Sequence, residues 1–193
     1  VSDGFTTGDY TGDGDSARWV GWWLESDDTG TPQHTTGLID VVGGALRLTA
    51  TLSTDPAPSL ARSIDTTGIV DGELELTLTE WSDSTLADDH LLIEVFADGN
   101  PTPVTAEFAG GDGLPAGTGG TPDTVSVDIS SLLPADEVTV HLSVTSTVDE
   151  QLTPAPVFLI DTVAVVLTVD ETTTTDSFTY DAAGRMLTRD VNG

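Results

Sequence analysis

From residue 73 to residue 79 the chain alternates without a break: Leu74, Leu76 and Leu78 stand between Glu73, Glu75, Thr77 and Thr79. A period of two sends successive side chains to opposite faces of a pleated strand, so this stretch has one dry face and one wet face. The pattern recurs at Val138, Val140, Leu142 and Val144, with Thr139, His141 and Ser143 turned outward. It recurs again at Leu46, Leu48, Ala50 and Leu52 against Arg47, Thr49 and Thr51. Half-buried strands of this kind are antiparallel. Gly43-Gly44 supplies the positive φ that a two-residue hairpin needs between residues 38–42 and 45–52. Asp71-Gly72 and Asp98-Gly99 are expected to punctuate later strands in the same way. No segment longer than about ten residues has helical periodicity. The expectation is an all-β, two-sheet antiparallel sandwich.

At 193 residues one main core suffices, and without cysteine it must be held by packing, hydrogen bonds or metal. The charge narrows the partners. There are 33 acidic residues against 5 basic ones, a formal net charge of −28, and the basic residues are all arginines. Nucleic acid and anionic lipid bind by exchanging counterions for Lys and Arg, so both are set aside. Repulsion at this density is relieved by salt or bound cations, which fits an extracellular or cell-surface setting. Hydrophobic residues make up 37% of the chain and fall in strand-like runs, which separates it from acidic disorder. No apolar run reaches the ~18 residues of a membrane-spanning helix, so membrane insertion is not expected. Val1 reads as a processed or excised end.

The run VSDGFTTGDYTGDGDSARWVGWWLES, then GGALRLTATL and later APVFLIDTVAVV, resembles extracellular jelly-roll domains, including the MAM-like and carbohydrate-binding-like modules of bacterial surface proteins. The resemblance spans residues 3–169. It implies a jelly roll whose first and last strands lie close together, often with a structural calcium at that junction. The ending FTYDAAGRMLTRDVNG resembles one YD repeat of the Rhs family, through Tyr180-Asp181, Gly184-Arg185 and Asn192-Gly193. The expected organisation is a sandwich over 1–169, a polar tether over 170–177 and a single strand-forming repeat over 178–193. One such unit is marginal alone. Its apolar residues Phe178, Tyr180, Met186 and Leu187 are therefore candidates for strand addition to another copy.

Asp161 interrupts the most apolar run in the chain, PVFLIDTVAVVL, and a buried carboxylate needs a cation, a donor or an exit to solvent. Asp3 and Glu25 match the N-terminal acidic positions of the jelly-roll resemblance, so Asp3, Glu25 and Asp161 form a candidate Ca2+ site. The competing reading is that Asp161 accepts backbone N–H groups at a strand end. Asp9 to Asp15 begins like an EF-hand loop, but Val20 stands where the closing carboxylate belongs, so a solvated acidic turn is expected there. Alternation sends Val20, Trp22 and Leu24 to one face of their strand and Trp19, Trp23 and Glu25 to the other. If the first set is core, Trp19 and Trp23 form an aromatic strip beneath a loop or open to water, able to stack on sugar rings; the competing and commoner role for the pair is packing, as core or as a lid over a sheet edge. Trp81, in a polar stretch, is the other candidate for stacking on sugar rings.

No catalytic constellation emerges. His34, His90 and His141 lack metal-ligand spacing, no Cys nucleophile exists, and no serine sits in a GxSxG elbow. The reading is a non-catalytic extracellular structural or adhesive module stabilised by calcium. Its alternatives are a carbohydrate-binding module and a filament subunit, so a glycan or a second copy is the expected partner. If calcium is bound only by the folded state, EDTA lowers the melting temperature by mass action. An unchanged melting curve in EDTA dismisses the metal.

Overall fold

A computed structural model describes residues 2–5, 8–10, 18–26, 37–49, 57–81, 89–109, 123–146, 157–169, 175–180 and 186–192. Its strands in chain order are β1 (Ser2–Gly4), β2 (Trp19–Ser26), β3 (Ile39–Val42), β4 (Ala45–Thr49), β5 (Ser59–Asp65), β6 (Ile69–Trp81) and β7 (Asp89–Ala97). They continue as β8 (Val104–Ala109), β9 (Asp123–Asp128), β10 (Glu137–Ser146), β11 (Val157–Val169), β12 (Thr175–Tyr180) and β13 (Met186–Asn192). Among the described residues the only helical turn is a 3-10 turn over Ser130–Leu132.

One sheet runs β3-β4-β11-β6-β9, with β1 added alongside β11; the other runs β2-β5-β10-β7-β8. Every pairing is antiparallel. From β4 to β11 the chain crosses between the sheets at every step except β7 to β8, which are hairpin neighbours. The resulting four-strand orders, β4-β11-β6-β9 and β5-β10-β7-β8, are those of a jelly roll. β1 pairs with β11 through Asp3 opposite Val163, so the first and last strands of the sandwich are neighbours.

The alternating runs fill the space between the sheets. Leu74, Leu76 and Leu78 on β6 are buried, as are Val138, Val140, Leu142 and Val144 on β10, together with Leu46, Leu48, Ile93, Phe158 and Val163. Fully burying one such aliphatic side chain is worth about 1.5–3 kcal/mol. Gly43 and Gly44 take φ of 62° and 89°, and the β3–β4 hairpin turns there. Gly99 likewise turns at φ 72° after β7.

Asp71-Gly72 behaves otherwise. Both residues lie inside β6, and Gly72 is buried where a Cβ would stand 3.2 Å from the Ile129 and Leu167 side chains. The glycine is there for close packing, and the turn falls earlier, at Gly68 with φ 75°. Asp65 Oδ1 accepts the Thr67 N–H in that turn at 2.9 Å. β12 starts at Thr175, inside the stretch read as a tether, and pairs with β13 in a separate two-stranded sheet.

The sheet margin at β3–β4 is fastened by charge. Asp40, with its side chain only 6% exposed, receives two hydrogen bonds from the cross-strand Arg47, Nε to Oδ1 at 2.7 Å and Nη2 to Oδ2 at 2.5 Å. A fork meeting a carboxylate in this way is among the stronger ion pairs, and removing the arginine strands a desolvated charge. Arg47→Ala is expected to cost about 1–3 kcal/mol in urea unfolding. Arg47→Lys should recover only part of it, because an ammonium cannot bind both oxygens in the same plane.

Candidate functional site

β2 is an outer strand that departs from regular pairing. Val20 lies opposite Ser63 and Leu24 opposite Ala61, so β2 spends residues 21–23 where β5 spends Arg62 alone. Gly21 makes this bulge possible at φ 68°, a conformation costly for any residue with a Cβ. The insertion is even in number, so Val20 and Leu24 keep the same face and Trp22 is lifted between them. Val20 is 46% exposed, Trp22 68% and Leu24 73%.

The division of β2 into two faces is the one the alternation implies, but the core face is the opposite set. Trp19 and Trp23 are buried, 5.7 Å apart between ring centroids at a 44° tilt, and Trp23 also packs on Phe5 at 6.1 Å. The Arg62 guanidinium lies 5.0 Å over the Trp19 ring, an interaction worth about 2 kcal/mol when desolvated. Trp19 and Trp23 are therefore no open ligand strip. Each set has two or more large apolar side chains, and local pattern does not choose between them; Phe5, fourteen residues before Trp19, completes the inner one. Among the described residues the aromatic open to water is Trp22, and the signal pointing to it was a glycine inside a strand pattern.

Beside β2, strand β5 turns Ser59, Ala61 and Ser63 outward, with Asp65 exposed at its end. Beyond it β10 presents Thr139 and His141, opposite Phe96 and Glu94 on β7. The register and the side-chain sizes thus outline a shallow groove on the outer face. Its floor is β5, one bank is Val20, Trp22 and Leu24, and the other is Thr139 and His141. Two inter-strand spacings make it roughly 9–10 Å wide between backbones. Ser63 Oγ and Thr139 Oγ1 share a hydrogen bond at 2.9 Å across the floor. His141 Nδ1 is 3.3 Å from Glu94 Oε2, and on the next strands His90 Nδ1 is 2.9 Å from Glu107 Oε1. Neither contact has hydrogen-bond alignment, so each is a close approach of a ring nitrogen to a carboxylate oxygen.

The other candidate residues are dispersed. Asp161 falls in a β11 irregularity between Ile160 and Thr162 and is exposed, so the exit to solvent is the one it takes. Thr162 Oγ1 donates to its Oδ2 at 3.4 Å. Glu25 is buried on β2, in the sheet opposite the one that carries Asp161 on β11. Asp3 is placed by its backbone opposite Val163, and its side chain lies outside the described residues. Trp81 ends β6 with its backbone paired to Phe158; its side chain too lies outside them. So do residues 11–15 of the acidic turn, His34, and the side chains of Phe178, Tyr180, Met186 and Leu187. The backbone register sets Phe178 opposite Arg189 and Tyr180 opposite Met186, within the chain.

The sheet containing β6, β9 and β11 has a cleft of about 380 Å³ lined by Asp71, Gly72, Glu73, Asp128, Ser130, Val166 and Thr168. Ser130 donates from Oγ to Asp128 Oδ1 at 2.6 Å and from its backbone N at 2.9 Å, and its hydroxyl also touches Asp71. These bonds hold the Asp128 carboxyl below its ordinary 3.8. A depressed carboxylate stabilises the fold above that value, and the contribution fades as pH falls through the lowered one. This contact fastens the turn after β9 to β6.

No family model matches the chain, and no curated protein matches it. Solved structures give distant likenesses. A xylan-binding module, CBM15, is 15% identical over 88% of this chain and 97% of its own, with a TM-score of 0.48. Xylanase 10C from Cellvibrio japonicus in complex with xylopentaose is 14% identical over 76% of this chain and 27% of its own, at 0.47. A family 29 carbohydrate-binding module is 11% identical over 86% and 85%, at 0.41. At these scores the fold stands on its own strand order and the groove on its own side chains.

Gly21→Ala tests the bulge. A Cβ there meets nothing within 4 Å, so its cost is conformational alone. The expected loss is about 1–2 kcal/mol in urea unfolding, with a shift in tryptophan fluorescence as Trp22 moves. Unchanged stability and emission would show that the strand does not need the positive φ.

Proposed function

We propose that this chain is a non-catalytic carbohydrate-binding sandwich, with the glycan lying in the groove over β5. The observation that carries the reading is Trp22, 68% exposed on a bulge that Gly21 holds in a rigid sheet. Contiguous exposed apolar surface rimmed by polar groups marks a binding site. Here it consists of an indole flanked by valine and leucine, beside Ser63, Thr139 and His141. A pyranose has the matching character: its C–H face packs on an aromatic ring, and its hydroxyls seek donors and acceptors around the rim. The small side chains of β5 leave room for a sugar ring to approach the sheet.

The setting that goes with this reading is extracellular, as an adhesive or spacing part of a surface protein. Pairing of β1 with β11 sets Asp3 opposite Val163, two residues along β11 from Asp161, and calcium is proposed at this junction.

Affinity electrophoresis in gels containing cellulose, xylan or mannan tests the glycan reading. Wild-type protein should be retarded by at least one of them, and Trp22→Ala should migrate freely while its unfolding free energy stays within about 0.5 kcal/mol. Retardation that survives in Trp22→Ala and vanishes in Trp81→Ala would move the site to the end of β6. Free migration of the wild type in every gel would remove the proposal.

A further inference from the structure

Within the glycan-binding reading, on which this step rests, we infer that His141, oriented by Glu94, is the residue that reads a sugar hydroxyl in the groove. Its Nε2 accepts the O–H while the sugar ring lies over Ala61 against Trp22. The register supplies the geometry. Leu24, Ala61, His141, Glu94 and Thr105 follow one another across β2, β5, β10, β7 and β8 as a single cross-strand row. A ring resting on Ala61 therefore has the apolar bank on one side and the imidazole on the other.

The chemistry of the row singles out His141. Ala61 has no polar side-chain atom, and in the next row the Ser63 and Thr139 hydroxyls already engage one another. Ser143, in the row on the other side of His141, is buried. The imidazole is 30% exposed, but its Nδ1 is buried and turned to Glu94 Oε2 at 3.3 Å, so the exposed part of the ring is the remainder. A carboxylate only accepts, and a bare Nδ1 lone pair facing it would be repelled, so Nδ1 carries the proton. Nε2 is then an acceptor, because in a neutral imidazole the protonation of one nitrogen decides the role of the other. Glu94 acts through His141 as a positioning residue.

Two arms test this. Nitrogen-15 NMR at about pH 8, where an ordinary imidazole is neutral, should find His141 protonated on Nδ1 and bare on Nε2, and should find that tautomer lost in Glu94→Ala. This arm needs no ligand, and an Nε2-protonated ring in the wild type overturns the inference. In the second arm, affinity is measured for whichever of xylan, cellulose or mannan retards the wild type. His141→Ala should weaken it about threefold to tenfold. Glu94→Ala should weaken it equally, and Glu94→Gln, whose amide can still present an oxygen to the protonated Nδ1, should retain it. Wild-type affinity in His141→Ala, with binding lost in Trp22→Ala, overturns the inference and leaves the groove. Wild-type affinity in both variants overturns the groove as well.

Discussion

Strand β11 carries thirteen residues and is paired along both edges: β6 follows one for nearly its whole length, while β4 and then β1 lie end to end along the other. Two antiparallel sheets enclose a dry core only if each strand keeps its apolar side chains on one face, and β11 must do so while matching three partners. It does this by yielding locally. The irregularity around Ile160 and Thr162 swings Asp161 out to water and returns Val163 and Val165 to the interior. A single polar residue in an apolar run is accommodated by backbone geometry here, and its carboxylate is solvated.

The same kind of yielding at β2 has a different product. There the pairing slips by two residues, which preserves the inner face of Trp19 and Trp23 and brings Trp22 into water. An outer strand can tolerate this because it is paired to a strand on one side only, whereas a central strand would lose two ladders. The groove is a consequence of that bulge together with the small outward residues of β5. Its aromatic side chain is borne on a strand whose inner face is packed by Phe5 and Arg62, so it is positioned by the core.

Electrostatics sets what such a groove can receive. Three arginines in the described residues serve the framework: Arg47 holds Asp40, Arg62 lies over Trp19, and Arg18 donates to the carbonyl of Asp65. The two imidazoles on the groove sheet each face a glutamate. With a formal charge of −28 around it, the face repels polyanions and admits ligands recognised by stacking and hydrogen bonding.

Local pattern was enough to determine the alternating strands, their inner faces at β6 and β10, the Gly43-Gly44 hairpin and the all-β class, because each depends on residues two to four apart. Which face of β2 is inside, whether Asp161 is buried, and why Gly72 is a glycine were decided only in the folded chain. Trp23 is inner because Phe5 reaches it, Asp161 is outer because β11 bulges against β6, and Gly72 is small because Ile129 and Leu167 crowd it. The groove belongs to the same class. Trp22, Ala61 and His141 are separated by long stretches of chain, and only the pairing of β2 with β5 and β5 with β10 sets them side by side, since hydrophobic burial acts across the whole sandwich.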